Sequence, residues 1–304
     1  MKVHPLQSLL GELAASAEFR GLVRELERLA PSLARVTGST FSPVRAIGLT
    51  ATAKTLYAIL LRRQLRAPLL YITSSNREAE QAFDLLNGWS RLLGEPEPVL
   101  IPAHDIRPYQ GLSPHADISE KRALGLAKLA SGQASLAVLP VEAAASRTEP
   151  PNFYRGLVRN LRRHDEVELE ELLEHLEAVG YLRHDPVEMA GQFSVRGGIV
   201  DVFSPEARRP VRLELFGDEV DSLREFDVET QRSTGVVERV ALLPLTEFPL
   251  RKNLLEELSA RMDGASPGII DTFVPGEPFS GWEFLVPLVQ PLSHTLLDLC
   301  PQGI

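Results

Sequence analysis

Hydrophobic and polar residues alternate most regularly in the segment Val211–Phe216. Residues two apart in a strand share a side, so Val211, Leu213 and Leu215 form one apolar face. Arg212, Glu214 and Phe216 then share the opposite face. An aromatic residue beside an arginine suits a protein-binding patch, because such residues dominate binding hot spots. The structural alternative is that Phe216 caps a hairpin end or packs under a loop, and that Arg212 and Glu214 form an ordinary exposed pair.

The same alternation recurs just before this segment, in Phe193-Ser-Val-Arg196. Phe193 and Val195 fall on an apolar side, and Ser194 falls with Arg196 on a polar one. This placement predicts Phe193 in the core and Arg196 at the surface.

Helical spacing and apolar runs predict alternating helices and strands in the first half of the chain. Two helices are predicted over residues 8–35. Strands are predicted at 41–47, 69–73, 99–101 and 135–139, and helices at 54–63, 77–93 and 117–131. Such alternation favours a parallel-sheet α/β domain.

The pattern changes near Glu149-Pro-Pro151, which we interpret as a linker. A helix over 168–179 ends at Gly180, and short strands follow to Val240. This predicts an inserted small α+β domain with an antiparallel sheet. We place the domain boundaries at 1–151, 152–248 and 249–304, and interpret the last region as a domain cut short at Ile304.

Charge and composition narrow the possible functions. The net charge is −9, and residues 152–248 alone hold 12 Lys+Arg against 20 Asp+Glu. An acidic region is a poor nucleic-acid surface. Cys300 is the single cysteine, which excludes an intrachain disulfide and fits a cytoplasmic protein. No apolar run is long enough to predict a membrane span.

The segment Gly48-Leu-Thr-Ala-Thr-Ala-Lys-Thr55 stands where a phosphate-binding loop would stand. Gly48, Lys54 and Thr55 match the pattern, but Ala53 replaces its last glycine. No predicted strand ends in the acidic pair that would hold magnesium. We expect a relic without hydrolysis or useful nucleotide binding. The alternative is that Lys54 and Thr55 simply begin a helix.

The sequence gives little support for other catalytic or metal-binding sites. His104, Asp105 and His115 lie in a polar loop, but their spacing matches no regular metal site. No G-x-S-x-G nucleophile elbow is present. We therefore predict no catalytic residues and no metal site.

Several motifs resemble the N-terminal, UvrB-homologous module of the bacterial transcription-repair coupling factors (the Mfd family). Their order and spacing are most similar between residues 100 and 248. The motifs are Asp105-x-x-Pro-Tyr109, Ser113-Pro114, Gly180-Tyr181, Phe193-Ser-Val-Arg-Gly-Gly-Ile-Val-Asp-Val-Phe203, Pro210-Val-Arg-Leu-Glu-Leu-Phe-Gly-Asp-Glu-Val-Asp221 and Phe226-Asp-x-x-x-Gln-Arg-Ser233.

The resemblance implies a helicase-like α/β domain whose inserted domain docks on UvrA, the damage-recognition ATPase. When the docking positions of the family are transferred to the matching residues of this chain, they are Arg196, Arg212 and Phe216, flanked by Arg183 and Phe193. Glu214 and Asp218 would orient these arginines or meet a cation of the partner. The family also implies that a C-terminal domain masks this surface in the whole protein.

The resemblance further implies a parent protein that is an ATP-driven translocase on double-stranded DNA and displaces stalled RNA polymerase. Its ATP and Mg²⁺ would bind a motor outside this chain, so no cofactor is expected here. One alternative is a fragment of UvrB, the excision-repair helicase subunit, with residual nucleotide or DNA binding. Ala53 and the short stretch between Tyr109 and Arg122 argue against UvrB. The other alternative is a DNA clamp that uses the first segment.

Overall fold

The computed structural model describes residues 5–33, 43–108, 110–262, 274 and 277–300. The chain divides into two compact units. The first comprises residues 1–102, 132–144 and 300–304, and the second comprises 103–131 and 145–299. The class is mixed α/β, with one parallel sheet and antiparallel sheets. The helicase-like topology and the three-domain division remain predictions.

The first unit combines long helices with a small sheet. The helices are α1 (Pro5–Ala14), α2 (Ala17–Leu33), α3 (Ala51–Leu65) and α4 (Asn76–Leu93). The strands are β1 (Leu69–Thr73), β2 (Val99–Leu100) and β3 (Leu136–Pro140), which lie in the order β1-β3-β2 and run parallel. The core packs α3 and α4 against the sheet through Ile59, Leu86, Leu136 and Val138.

Helix α4 follows its predicted bounds because both ends are capped. The Ser75 hydroxyl accepts from the Glu78 backbone N–H at 3.3 Å, and Gly94 ends the helix with φ +67°.

The strand predicted at 41–47 is wrong for its described part. Residues 43–47 form no strand, and Ile47 is 90 % exposed. The helix that follows begins at Ala51, three residues before the predicted start, because the Thr50 side chain caps it. Residues 41 and 42 lie outside the described residues.

The second unit is built around a six-stranded sheet. Its strands are β6 (Leu182–Arg183), β7 (Gln192–Arg196), β8 (Ile199–Val202), β9 (Val211–Phe216), β10 (Glu219–Phe226) and β11 (Ser233–Val236). They lie in sequence order from β11 to β6, and every neighbouring pair is antiparallel except β6 with β7. The antiparallel sheet predicted for this region is confirmed.

The remaining elements are two ribbons and several helices. The ribbons pair β5 (Arg159–Arg162) with β12 (Arg239–Leu242), and β4 (Arg147–Thr148) with β13 (His294–Thr295). The helices are α5 (Ala116–Ala130), α6 (Val141–Ala145), α7 (Pro151–Gly156), α8 (Leu169–Ala178) and α9 (Lys252–Met262), with 3₁₀ turns at Trp282–Leu288 and Leu296–Leu299.

Candidate protein-binding face

One face of the six-stranded sheet is apolar and buried. Val200, Leu213 and Leu223 lie side by side on β8, β9 and β10, and each is fully buried. Phe193 is also fully buried, as its place in the alternation predicted. This face forms part of the core, so Phe193 is not available at the surface to a docking partner.

The opposite face carries the predicted arginines. The register places Asp201 beside Arg212 and Arg212 beside Arg224, and it places Arg196 beside Ile199 and Ile199 beside Glu214. We call this surface the arginine face, defined by Arg196, Ile199, Asp201, Arg212, Glu214, Phe216 and Arg224. It holds the predicted docking residues Arg196, Arg212 and Phe216 together with Glu214.

Arg212 is held in a fixed orientation. Its Nε donates to Asp201 Oδ1 at 2.6 Å and its Nη2 donates to Oδ2 at 2.7 Å, which is the bidentate fork of a strong charged pair. The guanidinium carbon lies 5.0 Å from the centre of the buried Phe226 ring. The hydrogen bonds to Asp201 raise the pKa of Arg212. The side chain is 22 % exposed, whereas that of Asp201 is 5 % exposed.

Arg196 is held more loosely. Its Nε donates to Asp185 Oδ2 at 3.2 Å, and its Nη2 donates to Oδ1. The two side chains are 60 % and 51 % exposed, so solvent screens the pair. The hydrogen bond from Arg196 lowers the pKa of Asp185.

Phe216 ends β9 and is 84 % exposed. It is too exposed to pack under a loop, whereas its place at the end of a hairpin strand agrees with the other structural alternative. Gly217, with φ +62°, turns the chain immediately after it into β10. A large apolar side chain is therefore exposed to solvent on the same side of the sheet as Arg212.

Glu214 is tied to its own sheet. The Ser222 hydroxyl donates to Glu214 Oε2 at 2.7 Å, and Arg224 Nη2 lies 3.9 Å from the same oxygen. Glu214 thus forms an ion pair with Arg224, an arginine that the sequence analysis did not single out.

Arg183 stands apart from the other predicted contacts. It is exposed on β6, but its register partner is Phe193, which belongs to the buried side of the sheet. Its strand position therefore assigns Arg183 to the side opposite the arginine face.

Sequence reasoning missed two apolar residues beside the arginines. Ile199 belongs to the arginine face, and Val236 on β11 lies beside Arg224; both are exposed. The alternation that revealed Arg196 and Arg212 would have found them, had the strand register been known.

Glycines shape the turn between β7 and β8. Gly197 has φ +61°, and a Cβ on Gly198 would lie 2.8 Å from the Leu215 carbonyl oxygen. The close approach lets Leu215 N–H donate to the Gly198 carbonyl at 2.7 Å. These glycines allow Ile199 to stand beside β9 and Arg196 to stand beside Ile199.

The candidate nucleotide loop, residues 48–55, does not have the free backbone N–H groups of a phosphate-binding loop. Thr50 Oγ1 accepts from the Ala53 N–H at 3.3 Å, and the Thr50 carbonyl accepts from the Lys54 N–H at 2.9 Å. Gly48 has the positive φ of a turn, +78°, and the Lys54 side chain is exposed. Two N–H groups that a phosphate would need are already occupied by Thr50.

Thr55 is similarly engaged. It is buried, its hydroxyl donates to the Thr52 carbonyl at 2.9 Å, and it accepts from Trp89 Nε1 at 3.3 Å. In a phosphate loop this hydroxyl would bind Mg²⁺. Here it serves the packing of α3 against α4.

The polar loop of the second unit is organised by local contacts. Asp105 accepts from the His115 backbone N–H at 3.2 Å, while His104 Nε2 lies 3.4 Å from Glu247, which also pairs with Arg122. Burial and the nearby Arg122 lower the pKa of His104 to about 4. Across the described ranges, no group of three or more His, Cys, Asp or Glu side chains is placed to hold a metal ion.

Two further predictions concern Tyr109 and membrane-spanning helices. Tyr109, which closes the first family motif, lies outside the described residues. Among the helices that the structure describes, none is both long enough and apolar enough to cross a bilayer.

The comparisons with known proteins agree with the sequence motifs. Residues 160–248 match the family described as the UvrB interaction domain. The chain is 30 % identical over 223 residues to the transcription-repair-coupling factor of Haemophilus influenzae, and 34 % identical over 233 residues to that of Myxococcus xanthus. The protein of Mycobacterium tuberculosis is 31 % identical over 275 residues.

These alignments cover 70 %, 75 % and 83 % of this chain, but 20 %, 19 % and 22 % of the relatives. The chain thus spans about a fifth of the length of the proteins that it matches. The arginine face lies entirely within the matched residues 160–248. The resemblance seen in the sequence is confirmed: the chain carries a UvrB interaction domain and is homologous, over most of its length, to the transcription-repair-coupling factors.

Proposed function

We propose that this chain is a non-catalytic recruitment module that binds UvrA through the arginine face in transcription-coupled nucleotide excision repair. The observation that carries the proposal is Phe216, exposed on the same side of the sheet as Arg196 and Arg212 and within the match to the UvrB interaction domain. Aromatic and arginine anchors surrounded by polar contacts are the composition of a binding hot spot.

Phe216 supplies the apolar part of this contact. Its ring is largely in water in the free chain, so its burial in a pocket of the partner would release most of the hydrophobic free energy of one aromatic side chain, about 2 kcal/mol. Ile199 stands beside Glu214 on the same face and extends the apolar contact.

The two arginines supply directional contacts in different ways. Arg196 is in an exposed pair with Asp185, so a carboxylate of UvrA can replace Asp185 at little cost. Arg212 keeps its fork with Asp201 and offers its remaining N–H groups. Such charged hydrogen bonds add specificity and fix the orientation of the partner.

We assign the enzymatic activities to the parent protein and not to this chain. In this proposal the parent is an ATP-dependent translocase on double-stranded DNA that displaces RNA polymerase, and ATP and Mg²⁺ bind regions other than residues 1–304. The occupied N–H groups after Thr50 and the internal bonds of Thr55 support this assignment.

A UvrB-like helicase fragment is the second candidate, since residues 160–248 match the UvrB interaction domain. That candidate predicts measurable ATP binding at Lys54 and Thr55. The recruitment module predicts none, so an ATP titration separates the two proposals.

The test of recruitment is binding to purified UvrA. The wild-type chain is compared with Arg196→Ala and Phe216→Ala, with folding checked by circular dichroism. Arg251→Ala is the matched control, because Arg251 is exposed and lies outside residues 160–248. We expect wild type and control to bind and both face variants to bind weakly. Equal affinities for all four, or no wild-type binding, would refute the proposal.

A further inference from the structure

Asp201 is a charged group in an unusual place. It belongs to the polar side of the sheet, yet its side chain is only 5 % exposed. A buried carboxylate is costly unless it is paired and hydrogen-bonded. Both of its oxygens accept from Arg212, and these bonds offset the cost of burial. An apolar residue would fill the position at lower cost if the position served stability alone.

The pair determines where the guanidinium of Arg212 points. Asp201 takes the Nε and Nη2 edge, and the ring of Phe226 lies against the guanidinium. An arginine fork is planar, so fixing one edge fixes the other. Nη1 and the second N–H of Nη2 form that other edge, which is shaped to receive a carboxylate in a second forked contact.

We propose that Asp201 is a positioning residue of the arginine face, and that it holds Arg212 so that the Nη1–Nη2 edge meets a carboxylate of the partner. This inference rests on the proposed binding of UvrA. Asp201 itself touches no partner in this arrangement, because Arg212 covers it. The advantage is preorganisation, since a side chain already ordered loses less conformational entropy on binding.

The comparison with Arg196 supports this role. Arg196 also has a carboxylate neighbour, but both members of that pair are more than half exposed. Both arginines use the Nε–Nη2 edge for their carboxylate, but only the pair of Arg212 with Asp201 is shielded from solvent, so Arg212 is held more firmly than Arg196.

The experiment measures affinity for purified UvrA in four chains: wild type, Asp201→Asn, Arg212→Lys and the double variant. Asparagine keeps the size of Asp201 but places an NH₂ group against an arginine N–H, so the fork is lost. Lysine keeps the charge of Arg212 without a fork. We expect each single variant to bind about tenfold more weakly, as typical for the loss of one well-placed charged contact. The double variant should bind within about twofold of Arg212→Lys, because coupled residues are not additive.

Controls separate positioning from folding and from net charge. Thermal unfolding of each chain shows whether it is folded at the temperature of the assay. Asp84→Asn, at an exposed position of α4 outside the matched residues, makes the same change of charge and should bind as wild type.

Each contrary outcome has a distinct meaning. Wild-type affinity in Asp201→Asn, or a full extra tenfold loss in the double variant, would overturn the positioning role while leaving recruitment intact. If Asp201→Asn does not fold, Arg212→Lys decides alone, and wild-type affinity there would overturn the inference. Absence of wild-type binding would overturn the proposed function and this inference with it.

Discussion

The arginine face and the loop that begins α3 both stand out in the sequence, but they use their polar groups in opposite ways. On the face, Phe216 projects into solvent, and Arg212 donates to Asp201 through its Nε and Nη2. In the loop, Thr50 takes the Ala53 and Lys54 N–H groups, and the Thr55 hydroxyl is bonded internally. Groups that are satisfied within the chain serve its stability, and groups left exposed are available for binding.

The largest expected effect concerns Phe216. Phe216→Ala should weaken binding to UvrA by about 2 kcal/mol or more, which is about 30-fold, because aromatic anchors carry much of the binding energy. Its free energy of unfolding should stay within about 0.5 kcal/mol of wild type, since the ring is exposed. Calorimetric titration and thermal unfolding measure the two quantities.

Leu297→Ala is the control for Phe216, because Leu297 is exposed and outside the matched residues. A loss of affinity as large in Leu297→Ala would show that Phe216 is not a specific anchor.

Stability should separate the two arginines of the face. Arg212→Ala leaves Asp201 buried without its partner and should lower the free energy of unfolding by about 2 kcal/mol. Arg196→Ala removes an exposed pair that solvent already screens, so its free energy of unfolding should stay close to that of wild type. Urea unfolding of both variants checks the difference. Equal stabilities would mean that the fork with Asp201 does not hold the side chain of Arg212 in solution.

The residue that caps α3, Thr50, allows a test of the loop. Thr50→Ala should destabilise the first unit by about 1 kcal/mol, because the Ala53 N–H loses its acceptor. Binding to UvrA should not change, since Thr50 lies outside the matched residues. Thr50→Ser keeps a hydroxyl and should retain most of the stability. If Thr50→Ala weakened UvrA binding, the loop would belong to the docking surface.

The smallest effect is expected from restoring the missing glycine. Ala53→Gly should not create ATP binding, because the Thr50 hydroxyl still occupies the N–H of residue 53. It should cost less than about 1 kcal/mol, as glycine does within helices. Titration with ATP and Mg²⁺ measures binding. Binding that appears in Ala53→Gly would show that the alanine side chain alone closes the site.

Much of the fold could be predicted from local patterns. Helix α4 lies where its capping residues placed it, and strands β1 and β3 lie within a residue of the apolar runs that predicted them. The strand predicted before Gly48 was wrong, because an apolar segment forms a strand only when another strand pairs with it, and residues 43–47 pair with none of the described strands. The carboxylates that pair with Arg212 and Arg196 could not be predicted either, since no local pattern singled out Asp201 or Asp185.

The sequence alone determined which residues of each strand share a side. The period of two assigned Phe193 to the core and Arg196, Arg212 and Phe216 to the surface, because alternation is a local property of the extended backbone. Only the tertiary structure decided which strands are neighbours and in what register. That register put Asp201 beside Arg212 and Phe193 beside Arg183, because hydrogen bonds between strands join residues whose distance along the chain carries no local signal.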